Sequence, residues 1–254
     1  MGFTEGPLPW EKCQYSHLAK TVQSAVNIPV IAVGRIEPED GEKLIAENSC
    51  GFVAMGRQLL ADPELPNNLI NNSPEKIRPC INCFVCVAQN FWNGEPVCAV
   101  NARLGNYEAE IAFPQTSKNV VIVGGGPAGL ECARIAASRG HKVTLLEQMK
   151  KLGGTALFSS LTTPKNGDLI KWFERVLEDS EVEIRKGFHA DRKSIMSFKP
   201  DAVVIATGSR SPKSGIKGSD LPHVLSRDQL RDLMQGAESL YLSLIHISEP
   251  TRPY

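Results

Sequence analysis

The sequence has no excess charge of either sign: 28 Lys and Arg stand against 28 Asp and Glu in 254 residues. Such a balance leaves no electrostatic footprint for nucleic acid or for an anionic membrane surface. It also lacks any apolar run near the ~20 residues that a membrane-spanning helix needs. The opening residues, MGFTEGPLPWEK, lack the basic-then-apolar pattern of a secretory leader. No nucleophile–base constellation points to hydrolysis. What remains is an ordinary globular composition, 42% hydrophobic and 22% charged. The length suits one large domain or two moderate ones.

Cysteine usage is not ordinary. Of 7 cysteines, four fall in Cys80–Cys98, CINCFVCVAQNFWNGEPVC. Three are separated by two-residue gaps, and the fourth follows after eleven residues. In a chain without an export signal, this bunching suggests a reducing cytoplasm and metal ligation rather than disulfides. Structural zinc usually takes two separated Cys-x-x-Cys knuckles. Three cysteines together and one apart are closer to the spacing of iron–sulfur ligands. Cys80, Cys83, Cys86 and Cys98 are therefore candidate ligands of a 4Fe–4S cluster, with zinc and free thiols as rivals. Phe91 and Trp92 are expected to pack over the site as apolar cover. Cys13, Cys50 and Cys132 are isolated and read as buried structural thiols.

Before the cysteines, the pattern alternates. Tyr15–Val26 has helical spacing, Val30–Val33 is a wholly apolar run that reads as a buried parallel strand, and Pro38 opens a helix to about Asn48. Phe52–Met55 is a second strand, and Gln58–Ala61 a short helix halted by Pro63 and Pro66. Each strand ends in Gly-Arg: Gly34-Arg35 and Gly56-Arg57. Alternating units imply a parallel sheet. Glycine lets backbone N–H groups approach a phosphate, and arginine adds a fork of donors. Surface ion pairs are the plainer reading of the two arginines.

After the cysteines, Tyr107–Ser117 reads as a linker. The strand Asn119–Val123 then runs into Gly124-Gly125-Gly126-Pro127-Ala128-Gly129, a helix Leu130–Ser138, and a strand Lys142–Leu146 that ends at Glu147. Gly-x-Gly-x-x-Gly between a strand and a helix is a dinucleotide fingerprint. Gly124 permits the tight turn, Gly126 admits the pyrophosphate, and Gly129 lets helix and strand pack closely. Pro127 and Ala128 open the helix whose N-terminus faces the phosphates. Glu147 stands where an acid takes the ribose hydroxyls and disfavours a 2′-phosphate, hence NADP, there. A glycine-rich turn without a ligand is the alternative. Further helix and strand patterns lie at Asn166–Leu177 (Leu169, Ile170, Phe173, Val176 and Leu177 on one side) and Val182–Ile184. His189 and His223 fall in loops, with nothing to mark them as catalysts.

The segments IPVIAVGRI, FVAMGRQLLADPELPNNLI and IRPCINC resemble the end of the old yellow enzyme family barrel, in its multidomain branch of 2,4-dienoyl-CoA reductase and trimethylamine dehydrogenase type. The resemblance covers about Pro9 to Glu238. It implies that Gly34, Arg35, Gly56 and Arg57 hold the FMN phosphate, and it favours a 4Fe–4S cluster at the cysteines. GGGPAGLECA, Leu152-Gly153-Gly154-Thr155 and DAVVIATG resemble the FAD-binding half of two-dinucleotide-domain flavoproteins, which implies that Gly154, Thr207 and Gly208 lie near the FAD. Two departures stand out. Gly51 replaces a frequent acidic residue, and two residues, Phe84 and Val85, separate the second and third cysteines where relatives often have three.

The expected fold class is α/β: the C-terminal part of a TIM barrel (1–78), a 4Fe–4S connector (79–106), a linker (107–117) and a truncated Rossmann-like FAD/NAD(P)-binding domain (118–240). The tail 241–254, ending LSLIHISEPTRPY, resembles translated sequencing-adapter read-through and not the family, a natural tail being the alternative. By resemblance, six barrel strands with the substrate acid would precede Met1, so Met1 is read as an internal start and the fragment as inactive on its own. The resemblance implies a parent that passes electrons from NADH through FAD and the cluster to FMN and an unsaturated enone or enoyl small-molecule substrate. The alternatives are an amine dehydrogenase-like relative with ADP in place of FAD, and an inactive dinucleotide-binding module. A cytoplasmic location is expected, with neither nucleic acid nor membrane as partner. The oligomeric state is left open.

Overall fold

A computed structural model describes residues 11–105, 113–209, 215–219, 221–226 and 229. The chain divides into two compact units, Met1–Ala109 and Glu110–Tyr254. The expected non-native tail and most of the linker, 107–112, lie outside the described residues.

In the first unit, α1 (Ser16–Ala25), β1 (Ile31–Val33), α2 (Pro38–Ala46), β2 (Phe52–Ala54) and α3 (Gly56–Ala61) follow the expected order. Strands β1 and β2 pair in parallel, with Val33 opposite Ala54. Both Gly-Arg turns therefore leave the pair at its carboxyl end. The core is small: Ala32, Ile36 and Cys50, with Cys13, Ala19, Leu44, Val53 and Met55 packed around them. Here the expected burial of β1 is corrected. Ile31 and Val33 are 62% and 61% exposed, and only Ala32 is buried. Among the described residues the pair has no third strand, so the strand alternates in burial like a half-covered one.

Pro66 is a second correction. It does not halt a helix but opens one, α4 (Leu65–Ile70), where its missing N–H falls on a position with no intrahelical partner. A single turn of 3₁₀ helix, Pro74–Lys76, leads to the cysteine segment, which holds the unforeseen α5 (Val85–Asn90).

The second unit is a four-stranded parallel sheet in the order β5 (Glu183–Lys186), β4 (Lys142–Glu147), β3 (Asn119–Val123), β6 (Ala202–Ile205). Val121, Ile122, Leu145 and Leu146 at its centre are at most 1% exposed, as expected for strands covered on both faces. Helix α6 (Pro127–Ser138) packs on β3 and β4, and α8 (Pro164–Glu178) packs in turn on α6. Helix α8 buries Leu169, Ile170, Trp172, Phe173 and Leu177, each worth roughly 1.5–3 kcal/mol on full burial. Trp172 takes the place expected of Val176 and meets Phe173 edge-on at 4.8 Å. Helices α7 (Gly154–Ser159) and α9 (Arg192–Ser197) complete the unit. Their six-residue lengths give too little periodicity to read.

The chain leaves β3 toward β4 on one side and reaches β6 on the other. That reversal is the topological switch point, where open parallel sheets bind ligands beyond their carboxyl ends. No helix among the described residues is long and apolar enough to cross a membrane.

Candidate functional site

A cleft of about 500 Å³ opens at this switch point. Of the predicted nucleotide residues, Gly124, Gly126, Pro127, Ala128, Glu147, Gly154, Thr207 and Gly208 line it together. They come from the ends of β3, β4 and β6 and from the first residues of α6 and α7.

Local geometry explains the glycines. Gly124 has φ 113°, and a side chain there would run into the Ala206 carbonyl. Gly129 is buried inside α6, where a Cβ would collide with the carbonyl oxygen of Gly124. It belongs to the packing beneath the cleft rather than to its lining. Gly126 differs: no protein atom lies within 4 Å of the Cβ it lacks. Its empty side faces the cleft, which matches the demand for close backbone approach by a ligand. Gly154, with φ 50°, would bring a Cβ to 3.3 Å from the Gly126 Cα, so the two loops abut.

Glu147 is buried, 6% exposed. Its Oε2 accepts the Gly125 N–H at 2.6 Å, and its Oε1 accepts the Met149 N–H at 2.7 Å. Each carboxylate oxygen has two lone pairs, so capacity remains for ribose hydroxyls on the cleft side. Lys151, Phe158, Phe188 and His189 also line the cleft. Sequence reasoning did not select them. His189 sits beyond β5 in a segment without a motif, and its place at the cleft follows from the strand order alone.

In the first unit, Cys80, Cys83, Cys86 and Cys98 line one small cavity with Arg57 and Phe84. All four thiols are free. They surround the cavity without closing to the spacing that holds a single ion. Burial pushes the Cys80 thiol up from its ordinary range, while the Asn82 N–H and the Arg57 guanidinium pull it back. Burial likewise raises Cys86. Asn82 donates its backbone N–H to the Cys80 Sγ at 3.4 Å. Asn82 and Phe84 adopt left-handed backbone, φ 51° and 62°, and wrap the chain around the cavity.

Helix α3 holds this segment. Gln58 accepts the Cys80 N–H through Oε1 at 2.9 Å and donates through Nε2 to the Arg78 carbonyl at 2.8 Å. Asp62, one turn later and 8% exposed, accepts the Arg78 N–H at 2.7 Å. Arg78 in turn donates from Nη1 to the Val100 carbonyl, and the buried Asn101 donates to the Leu60 carbonyl.

Arg57 and the cysteines thus share one cavity. Its guanidinium lies over the Phe84 ring, 4.6 Å from the centroid. Arg35 follows Gly34 in left-handed conformation, φ 50°. Gly56 begins α3 with open space around its missing Cβ.

Two expectations are corrected here. Phe91 and Trp92 do not cover the cysteines: they are 81% and 79% exposed, and the aromatic at the cavity is Phe84. They follow directly after α5, on chain that has turned outward. Cys50 is buried as expected, but Cys13 and Cys132 are only half-buried.

Comparison with known proteins agrees with this layout. The family model described as pyridine nucleotide-disulphide oxidoreductase matches residues 99–187 and 119–239. The model of the NADH:flavin oxidoreductase / NADH oxidase family matches residues 4–76. An NADH oxidase of Thermoanaerobacter brockii is 42% identical over 224 residues, covering 84% of this chain and 34% of that protein. A cinnamate reductase of Clostridium sporogenes is 38% identical over 220 residues, covering 84% and 33%. The solved 2-naphthoyl-CoA reductase in complex with 2-naphthoyl-CoA superposes with a TM-score of 0.81 at 28% identity, covering 87% of this chain and 34% of that one. The chain therefore spans about a third of the length of the curated relatives it matches.

Proposed function

We propose, from the premise that this chain belongs to the old yellow enzyme-like multidomain family of flavin-dependent NADH oxidoreductases, that it is the electron-relay portion of such an enzyme. The supporting observation is the pairing of two built sites: the switch-point cleft, ringed by eight of the predicted nucleotide residues, and the cavity ringed by four cysteines. In this reading, residues 118–240 bind FAD, or ADP in its place, and residues 79–106 hold a 4Fe–4S cluster. Residues 1–78 contribute Gly34, Arg35, Gly56 and Arg57 to an FMN phosphate cradle.

The residues fit these groups. The space at Gly126 suits a pyrophosphate, and Glu147 has acceptor capacity for ribose. Four thiols spread around one cavity suit a cubane, whose ligands bind four separate irons, better than one zinc ion. When bound, the flavins supply two-electron chemistry with NADH and the cluster supplies one-electron transfer. The chain's own part is to orient. Glu147 fixes the glycine turn, α3 fixes the cysteine loop, and Phe84 with Arg57 lines the cavity beside the thiols. The whole enzyme would pass electrons from NADH to an unsaturated enone or enoyl substrate, consistent with a cinnamate reductase among its relatives. The free thiols suit a reducing cytoplasm.

Anaerobic purification followed by metal and sulfide analysis tests the reading. Iron and sulfide should fall sharply in Cys83→Ala and persist in Cys132→Ala. Equal iron in both, or zinc in place of iron, would refute it.

A further inference from the structure

We infer that Arg57 is the counter-charge of the cysteine cavity: a positioning residue that makes a cluster held there easier to reduce, besides its expected part in the phosphate cradle. The inference rests on the cluster reading above.

Four observations carry it. Of the described residues that line the cavity, Arg57 alone bears a formal positive charge. Its guanidinium lies over the Phe84 ring, 4.6 Å from the centroid, and Phe84 stands within the cysteine loop itself. Its Nη1 is buried without a hydrogen-bond partner among the described residues. Among the described residues no carboxylate forms an ion pair with it, so its charge is not spent on a neighbouring acid. A half-buried cation beside four cysteines that would be thiolates in a cluster exerts a sizeable local field, since effective dielectric constants inside proteins are about 20 rather than 80. One-electron reduction adds a negative charge to an already negative cage, so a fixed cation favours the reduced form. The electron comes from reduced flavin in the proposed relay or from dithionite in a titration, and no proton need move.

The test is a redox titration of the anaerobically purified whole chain, with the reduced cluster followed by electron paramagnetic resonance and with iron and FMN measured in each sample. Arg57→Gln should lower the ratio of reduced to oxidised cluster at least tenfold at the unchanged protein's midpoint, which is a shift of about 59 mV for a one-electron couple. Arg57→Lys should recover most of that ratio. Arg35→Gln, which removes the other cradle arginine but does not line the cavity, should leave it near the starting value. An unchanged ratio in Arg57→Gln overturns the inference. So does an equal shift in Arg35→Gln, because the effect would then act through the phosphate site. If Arg57→Gln holds no iron, Arg57→Lys decides: iron retained with the ratio preserved supports the charge role, and iron lost overturns it. An unchanged chain without iron and sulfide removes the cluster reading, and the inference with it, whereas iron present with an insensitive potential removes the inference alone.

Discussion

Glu147 and Gly125 are joined by a 2.6 Å hydrogen bond from the Gly125 N–H to the buried Glu147 Oε2. The acid at the end of β4 thus sets the path of the turn at the end of β3, before any ligand arrives. A Cβ at Gly125 would come to 3.0 Å from that oxygen and 2.7 Å from Leu152, so the close approach needs the glycine.

This pairing makes Glu147→Gln a two-sided lesion. One oxygen remains to accept, but the amide NH2 must face a backbone N–H. A buried donor left without a partner costs about 1–3 kcal/mol. Chemical denaturation should show a loss of that size, and FAD or ADP titration should show affinity reduced tenfold or more. Intact stability together with intact affinity would show that the carboxylate is incidental.

Gly126 and Gly129 should separate binding from folding. The Cβ that Gly126→Val adds meets no protein atom within 4 Å, and the native φ of −79° suits any residue. It should fold with a melting temperature near the starting value and bind no adenine nucleotide. Gly129→Val drives a side chain into the Gly124 carbonyl and should lose stability outright. Calorimetry beside nucleotide titration distinguishes the two, and similar behaviour of both variants would contradict the geometry.

Gln58→Ala removes both hydrogen bonds that tie α3 to the backbone at Arg78 and Cys80. Two half-buried backbone groups then lose their partners, at roughly 1–3 kcal/mol each. Iron should leave the protein faster in the presence of a chelator, with nucleotide binding at the second unit unaffected. Identical iron release from both proteins would mean that the loop holds itself.

In metal-free, reduced protein, the four thiols should differ in alkylation. The thiolate is the reactive form. Burial raises the Cys80 thiol, whereas Cys83 is exposed. Mass mapping after brief iodoacetamide treatment near neutral pH should find Cys83 modified well before Cys80, with the gap narrowing as the pH climbs. Modification of Cys80 first would contradict the placement of its side chain.

The nucleotide fingerprint was legible because its demands are local. A tight turn, a close approach and a helix start follow one another within six residues, and β3 runs from Asn119 to Val123 as the pattern implies. The spacing of the four cysteines is likewise local, and the four line one cavity. The partners of these residues were not legible. Gln58 reaches Cys80 across 22 positions, and no periodicity reveals a hydrogen bond of that span. Phe84 carries its ring to the cavity only because its backbone is left-handed, a conformation that a non-glycine residue does not advertise. Phe91 and Trp92 misled for the converse reason, since aromatic character suggests cover and says nothing of direction. The exposure of Ile31 and Val33 depends on what else pairs with β1, which an apolar run cannot specify.

Helix α3 also acts as a ruler. Gln58 and Asp62 lie one turn apart and mark off the backbone from Arg78 to Cys80 at fixed points. Inserting one residue between them would rotate Asp62 by about 100° and uncouple the two marks. Length change in this stretch therefore has one cheap place to occur: after Cys80, where Asn82 and Phe84 already bend the chain through left-handed turns. That is where Phe84 and Val85 separate the second cysteine from the third.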